Sequence, residues 1–359
     1  MTATLPPQLA RLIRQDVQGM HAYAVQPSAG LVKLDAMENP HRLPANLQQA
    51  LGARLGAVAL NRYPGERVDT LRAALKAYAQ VPDGYDLMLG NGSDELISLL
   101  AMACDVPGAS ILAPLPGFVM YGMSAQLQGL KFVGVDLTPD FELDESAMLE
   151  AIATHQPSII YLAYPNNPTA NLWDDGVIER IVEAAPGLVV MDEAYQPFAS
   201  RSYLDRLTRH PHVLLMRTLS KFGLAGVRLG YMVGPAALIA QVDKVRPPYN
   251  VSVLNCEAAL FALEHADVFH QQAAELRRER ALLLDRLDAM PGVRAWRSDA
   301  NMILVRVPEA ARSFEGMKAR GVLVKNVSRM HPLLANCLRL TVGTTDENAQ
   351  MLAALQASL

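Results

Sequence analysis

The sequence predicts an α/β protein, with a mainly parallel seven-stranded sheet flanked by helices and a smaller α+β domain after it. Three observations carry that expectation. Short, nearly uninterrupted apolar runs alternate with helical patterns from about residue 31 to about residue 246, as strands buried on both faces of a parallel sheet do. The pair Pro247-Pro248 then breaks the alternation. Beyond it, one long helical pattern is followed by three further strand-like runs.

Taken in order, residues 1–30 read as an amphipathic arm that ends in a turn-rich stretch. The seven strands are expected at 87–89, 110–113, 132–135, 158–162, 188–191, 213–216 and 229–233. After the prolines the strongest helical pattern covers about 265–290, and strands are expected at 301–307, 322–324 and 338–342. The expected organisation is therefore an arm (1–30), a large domain (31–246) and a small domain (247–359). The chain shows neither an internal repeat nor a low-complexity tract.

Composition narrows the function classes. A chain of 359 residues, 51% hydrophobic and 19% charged, is long enough for a large core. Net charge is −4, and the one basic cluster, Arg277-Arg278-Glu279-Arg280, is interrupted by acid, so no nucleic-acid footprint is expected. Cys104, Cys256 and Cys337 are isolated and odd in number, which fits a reducing compartment and offers neither a disulfide framework nor a paired metal motif. The N-terminus carries Pro6, Pro7, Arg11, Arg14 and Asp16 without the apolar centre of a signal peptide. Residues 106–130 lack charge, but Pro107, Pro114 and Pro116 with four glycines do not suit a spanning helix. A soluble, cytoplasmic protein with no bound metal is expected.

In open α/β sheets, ligands bind beyond the carboxyl ends of the strands, and the polar residues of this chain gather at those ends. Lys221 lies just past the run 213–216, beside Ser220 and seven residues before Arg228. It reads either as a solvated rim lysine or as a Schiff-base amine with a phosphate held next to it. Asp192 ends the run 188–191, with Tyr195 three residues on. A charged Asp at a buried strand end needs a partner such as a protonated pyridine nitrogen, although helix N-caps also use Asp. A lysine imine with an acidic partner for the ring nitrogen is the arrangement that pyridoxal phosphate requires.

Three further turns complete the set. Gly90-Asn91-Gly92-Ser93-Asp94-Glu95 leaves a strand and opens a helix, so it is either an anion-binding turn or a plain capped one. Glu95 stands where a dinucleotide fingerprint needs its third glycine, and no Gly-Lys-Ser/Thr follows. Phe118, in Pro116-Gly117-Phe118-Val119-Met120-Tyr121, either covers a flat ring or joins the core. Asn167, in Tyr164-Pro165-Asn166-Asn167-Pro168-Thr169, is either an amide donor at the sheet edge or part of an ordinary turn.

In this order, the residues resemble the fold-type-I pyridoxal-phosphate-dependent aminotransferases, most closely their histidinol-phosphate branch. The resemblance runs over nearly the whole chain, including Leu34-Asp35-Ala36-Met37-Glu38-Asn39-Pro40, Asn61-Arg62-Tyr63-Pro64 and Leu338-Arg339-Leu340-Thr341-Val342-Gly343-Thr344. It implies that Lys221 bonds to pyridoxal 5'-phosphate and that Asp192 holds the ring nitrogen. Asn167 and Tyr195 would hold the ring hydroxyl, and Phe118 would stack on the ring. Ser93, Asp94, Ser220 and Arg228 would surround the phosphate, with Tyr63 reaching it from the other subunit of a homodimer. Arg339 would grip the acidic group of the substrate, and Tyr23, Tyr121 and Tyr249 would line the substrate pocket. Lys325 stands where some relatives have arginine, so it is either a point-charge phosphate contact or a solvated strand-end lysine, with Arg329 close by in sequence.

The implied reaction interconverts histidinol phosphate plus 2-oxoglutarate with imidazole-acetol phosphate plus glutamate. A threonine-phosphate decarboxylase and an aromatic-amino-acid aminotransferase of the same fold remain alternatives. A DNA-binding regulator would need more than the roughly 30-residue arm, since a typical domain takes about 50 residues or more. A nicotinamide dehydrogenase would need the missing glycine fingerprint. Two departures from the family pattern stand out: Ala170 replaces the usual glycine after Asn-Pro-Thr, and the Lys221–Arg228 spacing is seven where many relatives have eight.

Overall fold

The apolar runs form the sheet they predict. In this computed structural model, which describes residues 6–20 and 25–359, seven strands make one sheet. They are β2 (Tyr85–Gly90), β3 (Ser110–Leu115), β4 (Lys131–Asp136), β5 (Ile159–Ala163), β6 (Leu188–Asp192), β7 (Val213–Thr218) and β8 (Gly230–Pro235); β1 (Val32–Lys33) lies elsewhere. Their order is β2-β8-β7-β6-β5-β3-β4, parallel from β7 to β4, with β8 antiparallel to both its neighbours.

Burial on both faces explains the continuous apolar runs. Along β5, Ile159 and Tyr161 pack into one core while Ile160 and Leu162 pack into the other, so no position is left for a polar residue. The helices Ser93–Ala103, Met120–Gln128 and Ala236–Val242 cover one face; Glu66–Tyr78, Glu145–His155, Asp175–Ala184 and Val253–Glu264 cover the other. Only β4 alternates in exposure, as an edge strand does, with Lys131 and Asp136 at its ends.

A third core forms around a second sheet, ordered β12-β13-β10-β9, made of β9 (Arg294–Ala295), β10 (Met302–Arg306), β12 (Lys325–Asn326) and β13 (Cys337–Thr341). The long helix Ala266–Asp288 and the helices Ala310–Ala319 and Thr345–Gln356 pack on it. One difference from the expected organisation concerns residues 31–37. β1 pairs in parallel with β11 (Val322–Leu323), and Leu34 and Met37 are buried in this third core rather than against the large sheet. The described residues up to Gly30 form a separate unit in which two short helical turns, Pro7–Ala10 and Gln15–Gln18, are tied by Gln18 Nε2, which donates to the Ala10 and Ile13 carbonyls. Among the described residues, no helix is long and apolar enough to cross a membrane.

Four of the α-helices start from a capping side chain. Asp144, Asp174, Ser252 and Thr344 each cap a helix by accepting a backbone N–H, and Thr344 and Glu347 form a reciprocal capping box. The helix Ser93–Ala103 starts from Gly92 with no side-chain cap, at the carboxyl edge of the sheet. That edge is stiffened by Glu193, buried directly after β6. Its carboxylate accepts from Arg217 Nε at 3.0 Å and Nη2 at 2.8 Å, and from the Ser202 hydroxyl at 2.9 Å. Removing one partner of such a pair strands a buried charge. Glu193→Ala should therefore cost about 3–5 kcal/mol in urea denaturation; a loss below about 1 kcal/mol would show that the pair contributes little.

Candidate active site

An open cavity of about 600 Å³ lies at the carboxyl edge of the large sheet, lined by Ser93, Asp94, Phe118, Tyr121, Asn167, Asp192, Tyr195, Ser220, Lys221 and Arg228 together with five residues that sequence did not single out. Those five are Met37, Ala163, Pro165, Ala194 and Thr218. Thr218 carries a signal in hindsight: as the last residue of β7, its hydroxyl contacts Ser220 Oγ at 3.0 Å and fixes that side chain.

At one end the uncapped helix meets Arg228. Glu95 folds back so that its carboxylate accepts from Asn91 N, and the helix starts with no side chain capping its first-turn amides. Arg228 Nη1 lies 3.3 Å from Ser220 Oγ, and Nη2 lies 3.4 Å from Asp94 Oδ2. Both members of the Arg228–Asp94 pair are exposed, so that contact holds the guanidinium only weakly. Two glycines allow this closeness. A Cβ on Gly92 (φ +78°) would come within 2.7 Å of Arg228 Nη2, and one on Gly230 would come within 2.7 Å of Ser93 N. The short loop closes because a tight turn at Ser220–Leu224 runs into a 3-10 turn at Ala225–Val227, and Arg228 itself takes the left-handed conformation (φ 54°, ψ 51°). Amides, a hydroxyl and a guanidinium converging this way make an anion site.

In the middle, Asp192 is buried at the end of β6. Its Oδ1 accepts from Ala194 N at 3.0 Å and its Oδ2 accepts from the Tyr121 hydroxyl at 2.7 Å. Burial pushes this carboxyl up to about 6; the two hydrogen bonds work against that, and the charges of Asp94 and Glu193 add to it. Tyr121, expected on the substrate side, is thus placed on the Asp192 carboxylate, with its ring stacked on Tyr161 of β5.

Arg339, on β13, does not line the cavity but fixes the amide of Asn167, which does. Its Nη1 donates to Asn167 Oδ1 at 2.8 Å and its Nη2 to the Asp35 carbonyl at 2.7 Å. A guanidinium can only donate, so Asn167 must turn its oxygen to Arg339 and its Nδ2 to the Tyr195 hydroxyl, 3.1 Å away. Ala170 takes the left-handed backbone (φ 65°) that a glycine would adopt without strain, and its methyl is buried in the third core.

Lys221 Nζ donates to the Ala36 carbonyl at 2.8 Å, a backbone contact that no side-chain pattern could announce. Burial pushes its amine down to about 8; Arg339 and then Arg228 push the same way, while Glu38 opposes them.

The remaining expected residues lie apart from the cavity. Tyr63 and Tyr249 stack on each other with ring centroids 4.2 Å apart, on an exposed surface shared with Leu60, Pro248 and Leu254. Lys325 sits on β12 directly opposite Arg339 on β13, on the same face of the sheet, without lining the cavity. Tyr23 lies outside the described residues.

The model of the aminotransferase class I and II family matches residues 29–355. The chain belongs to that family. It is 74% identical to the histidinol-phosphate aminotransferase of Polaromonas naphthalenivorans, covering 99% of each chain, and 74% identical to that of Methylibium petroleiphilum, covering 99% of this chain and 96% of the relative. Among solved structures, histidinol-phosphate aminotransferase from Sinorhizobium meliloti in complex with pyridoxal-5'-phosphate shares the fold, with a TM-score of 0.82, 23% identity and 96% of each chain covered.

The cavity fits the cofactor of this aminotransferase family. It combines an anion site, a buried carboxylate that calls for a cation, a donor pair at Asn167 and Tyr195, the apolar side chains of Phe118 and Ala194, and one amine of lowered basicity. A phosphorylated, cationic pyridine aldehyde needs each of these.

The amine gives a direct test. An ordinary lysine is half-deprotonated near pH 10.4, so at pH 8 less than about 1% of it is free to attack a carbonyl. In cofactor-free protein, reductive methylation of Lys221 by formaldehyde should rise with pH and reach half its plateau near pH 8. Peptide mass spectrometry reads the labelling, and a half-point above pH 10 would contradict a lowered amine.

Proposed function

We propose that this chain interconverts histidinol phosphate plus 2-oxoglutarate with imidazole-acetol phosphate plus glutamate, with pyridoxal phosphate held at Lys221. The observation that carries the substrate assignment is the 74% identity over 99% of both chains to a histidinol-phosphate aminotransferase. The site geometry supports the chemistry. When bound, pyridoxal phosphate supplies an aldehyde that takes up an amine and an electron-poor ring that stabilises negative charge at the substrate Cα.

The residues of the chain do the rest. Ser220, Arg228 and the first-turn amides at Ser93 and Asp94 hold the phosphate. Asp192 holds the positive charge of a protonated ring nitrogen. The Asn167 Nδ2–H and the Tyr195 O–H hold the ring oxygen, since Tyr195 accepts from Asn167 and keeps its own proton to donate. Phe118 covers the ring. The Lys221 amine, kept short of full protonation, moves the proton at Cα as general base and acid. Arg339 takes the substrate anion, whether phosphate or carboxylate, because a guanidinium pairs bidentately with either.

Lys325 lies one strand over on the same face, in register with Arg339, which supports a second cation for the phosphate. Transamination of histidinol phosphate by 2-oxoglutarate, followed as glutamate formed, tests the assignment; removal of the substrate phosphate should abolish turnover. Lys325→Ala should lower kcat/KM for histidinol phosphate by about 1–3 kcal/mol while sparing glutamate. Equal losses on both substrates would remove Lys325 from phosphate selection. Carbon dioxide release from phosphothreonine without an amino acceptor would favour the decarboxylase alternative.

The reading includes a homodimer in the cytoplasm with shared sites, and a division into two domains near Pro247-Pro248. Tyr63 is 74% exposed and absent from the lining of its own cavity, yet it stands on an apolar surface with Leu60, Tyr249 and Leu254. An exposed patch of that kind suits a subunit interface. The unpaired Cys104, Cys256 and Cys337 suit a reducing compartment. Mixing Tyr63→Ala with Lys221→Ala chains should restore up to roughly a quarter of wild-type activity, because half the dimers are hybrids and each hybrid holds one intact site. Parents that exchange subunits but stay inactive when mixed would rule out shared sites.

A further inference from the structure

The reading above leaves Tyr121 without a role. It stands in the first turn of the helix Met120–Gln128, is buried, and puts its hydroxyl 2.7 Å from Asp192 Oδ2. Its ring lies flat on Tyr161 of β5, with centroids 4.4 Å apart and planes 7° from parallel, and it meets Phe118 edge-on at 5.6 Å. The phenol therefore cannot swing away from the carboxylate without breaking a stack inside the core. It also joins the side chain that covers the ring to the one that holds the ring nitrogen.

We propose that Tyr121 is a positioning residue for Asp192: its hydroxyl fixes the carboxylate plane and keeps that group charged, so that it can hold a protonated ring nitrogen. The inference rests on the cofactor assignment made above. The groups facing Asp192 make this bond consequential. From the β6 end and the turn after it come the Ala194 amide, Tyr195 and the Glu193 charge; from β5 comes Tyr161, and from the anion-site helix the Asp94 charge. The acids and the burial all favour a neutral carboxyl; Tyr121 and the Ala194 amide favour the carboxylate. Tyr121 keeps its own proton, because burial and the Asp192 charge hold the phenol far above the usual tyrosine range. Without its hydroxyl, Asp192 would lose one of two stabilising donors and begin to take up a proton near neutral pH. A neutral acid cannot hold the charge on the ring nitrogen.

Tyr121→Phe removes one oxygen and keeps the stack, so the test is the affinity of the cofactor-free protein for pyridoxal phosphate, followed by absorbance at pH 7 and pH 9. A hydrogen bond to a charged group predicts a loss of about tenfold or more in affinity at pH 7. The loss should shrink toward pH 9, where Asp192 is ionised in both proteins. In an Asp192→Asn background, Tyr121→Phe should add nothing, since the charge it supports is gone. An equal loss at both pH values, or the same loss in the Asp192→Asn background, would make Tyr121 a packing residue and overturn the proposal. So would an unchanged affinity in Tyr121→Phe. A wild-type chain that binds no pyridoxal phosphate would instead sink the cofactor assignment itself.

Discussion

A carboxylate buried at the end of a strand is the constraint from which the rest of this site follows. Asp192 is 3% exposed, and its hydrogen-bond partners among the described residues are a phenol and a backbone amide rather than a cation. Taking such a charge out of water is unfavourable unless a positive group answers it. The chain gives the carboxylate enough donors to ionise and leaves the cation to be supplied from the cavity. The anion site at Arg228 and the amine of Lys221 then fix how a ligand with a positive ring nitrogen, a phosphate and an aldehyde must lie.

The large sheet can hold these groups because their strands are parallel neighbours. Asp192 ends β6, and Thr218, Ser220 and Lys221 follow the end of β7, so both sets emerge on one edge. Asn167, in the turn after β5, comes out on the same edge. Because β8 runs antiparallel to β7, it starts at that same edge, which keeps the Arg228 turn there and lets Gly230 press against the anion-site helix. The third core then adds what the large sheet lacks. Arg339 reaches Asn167 from β13, and the segment after β1 lays the Asp35 and Ala36 carbonyls against Arg339 and Lys221.

Much of this was legible in sequence, and the division has a physical cause. Strands buried on both faces must be apolar throughout, so all seven strands of the large sheet announce themselves. Residues at the end of a strand or within three positions of it, such as Asp192, Ser220 and Lys221, inherit their location from it. What stayed hidden depends on contacts between distant positions or on the backbone itself. Tyr121 meets Asp192 across 71 positions of chain, and Arg339 bonds Asn167 across 172. The Ala36 carbonyl has no side chain to betray it, and β1 is two residues long, too short to show a period. The Ala170 departure proved mild because the left-handed backbone is available to alanine at a cost of roughly 1–2 kcal/mol, which a buried methyl helps offset.

Arg339 draws the two halves of the proposed reaction together. It is the leading charged group that depresses the Lys221 amine, and in the proposed function it is also the cation that takes the substrate anion. These two tasks are linked, because an anion that neutralises the guanidinium also weakens its push on the amine. With the anion subsite empty, Lys221 is less basic and better able to attack a carbonyl. In the proposed function, a phosphate or carboxylate in place would make it more basic and better able to take a proton from Cα. Asn167, bonded to Arg339 on one side and to Tyr195 on the other, ties the same guanidinium to the donors of the ring oxygen. A single side chain from the third core therefore adds to the lowered basicity of the Lys221 amine and fixes the orientation of Asn167. Its burial beside Asn167 and the Asp35 carbonyl holds it in place for both.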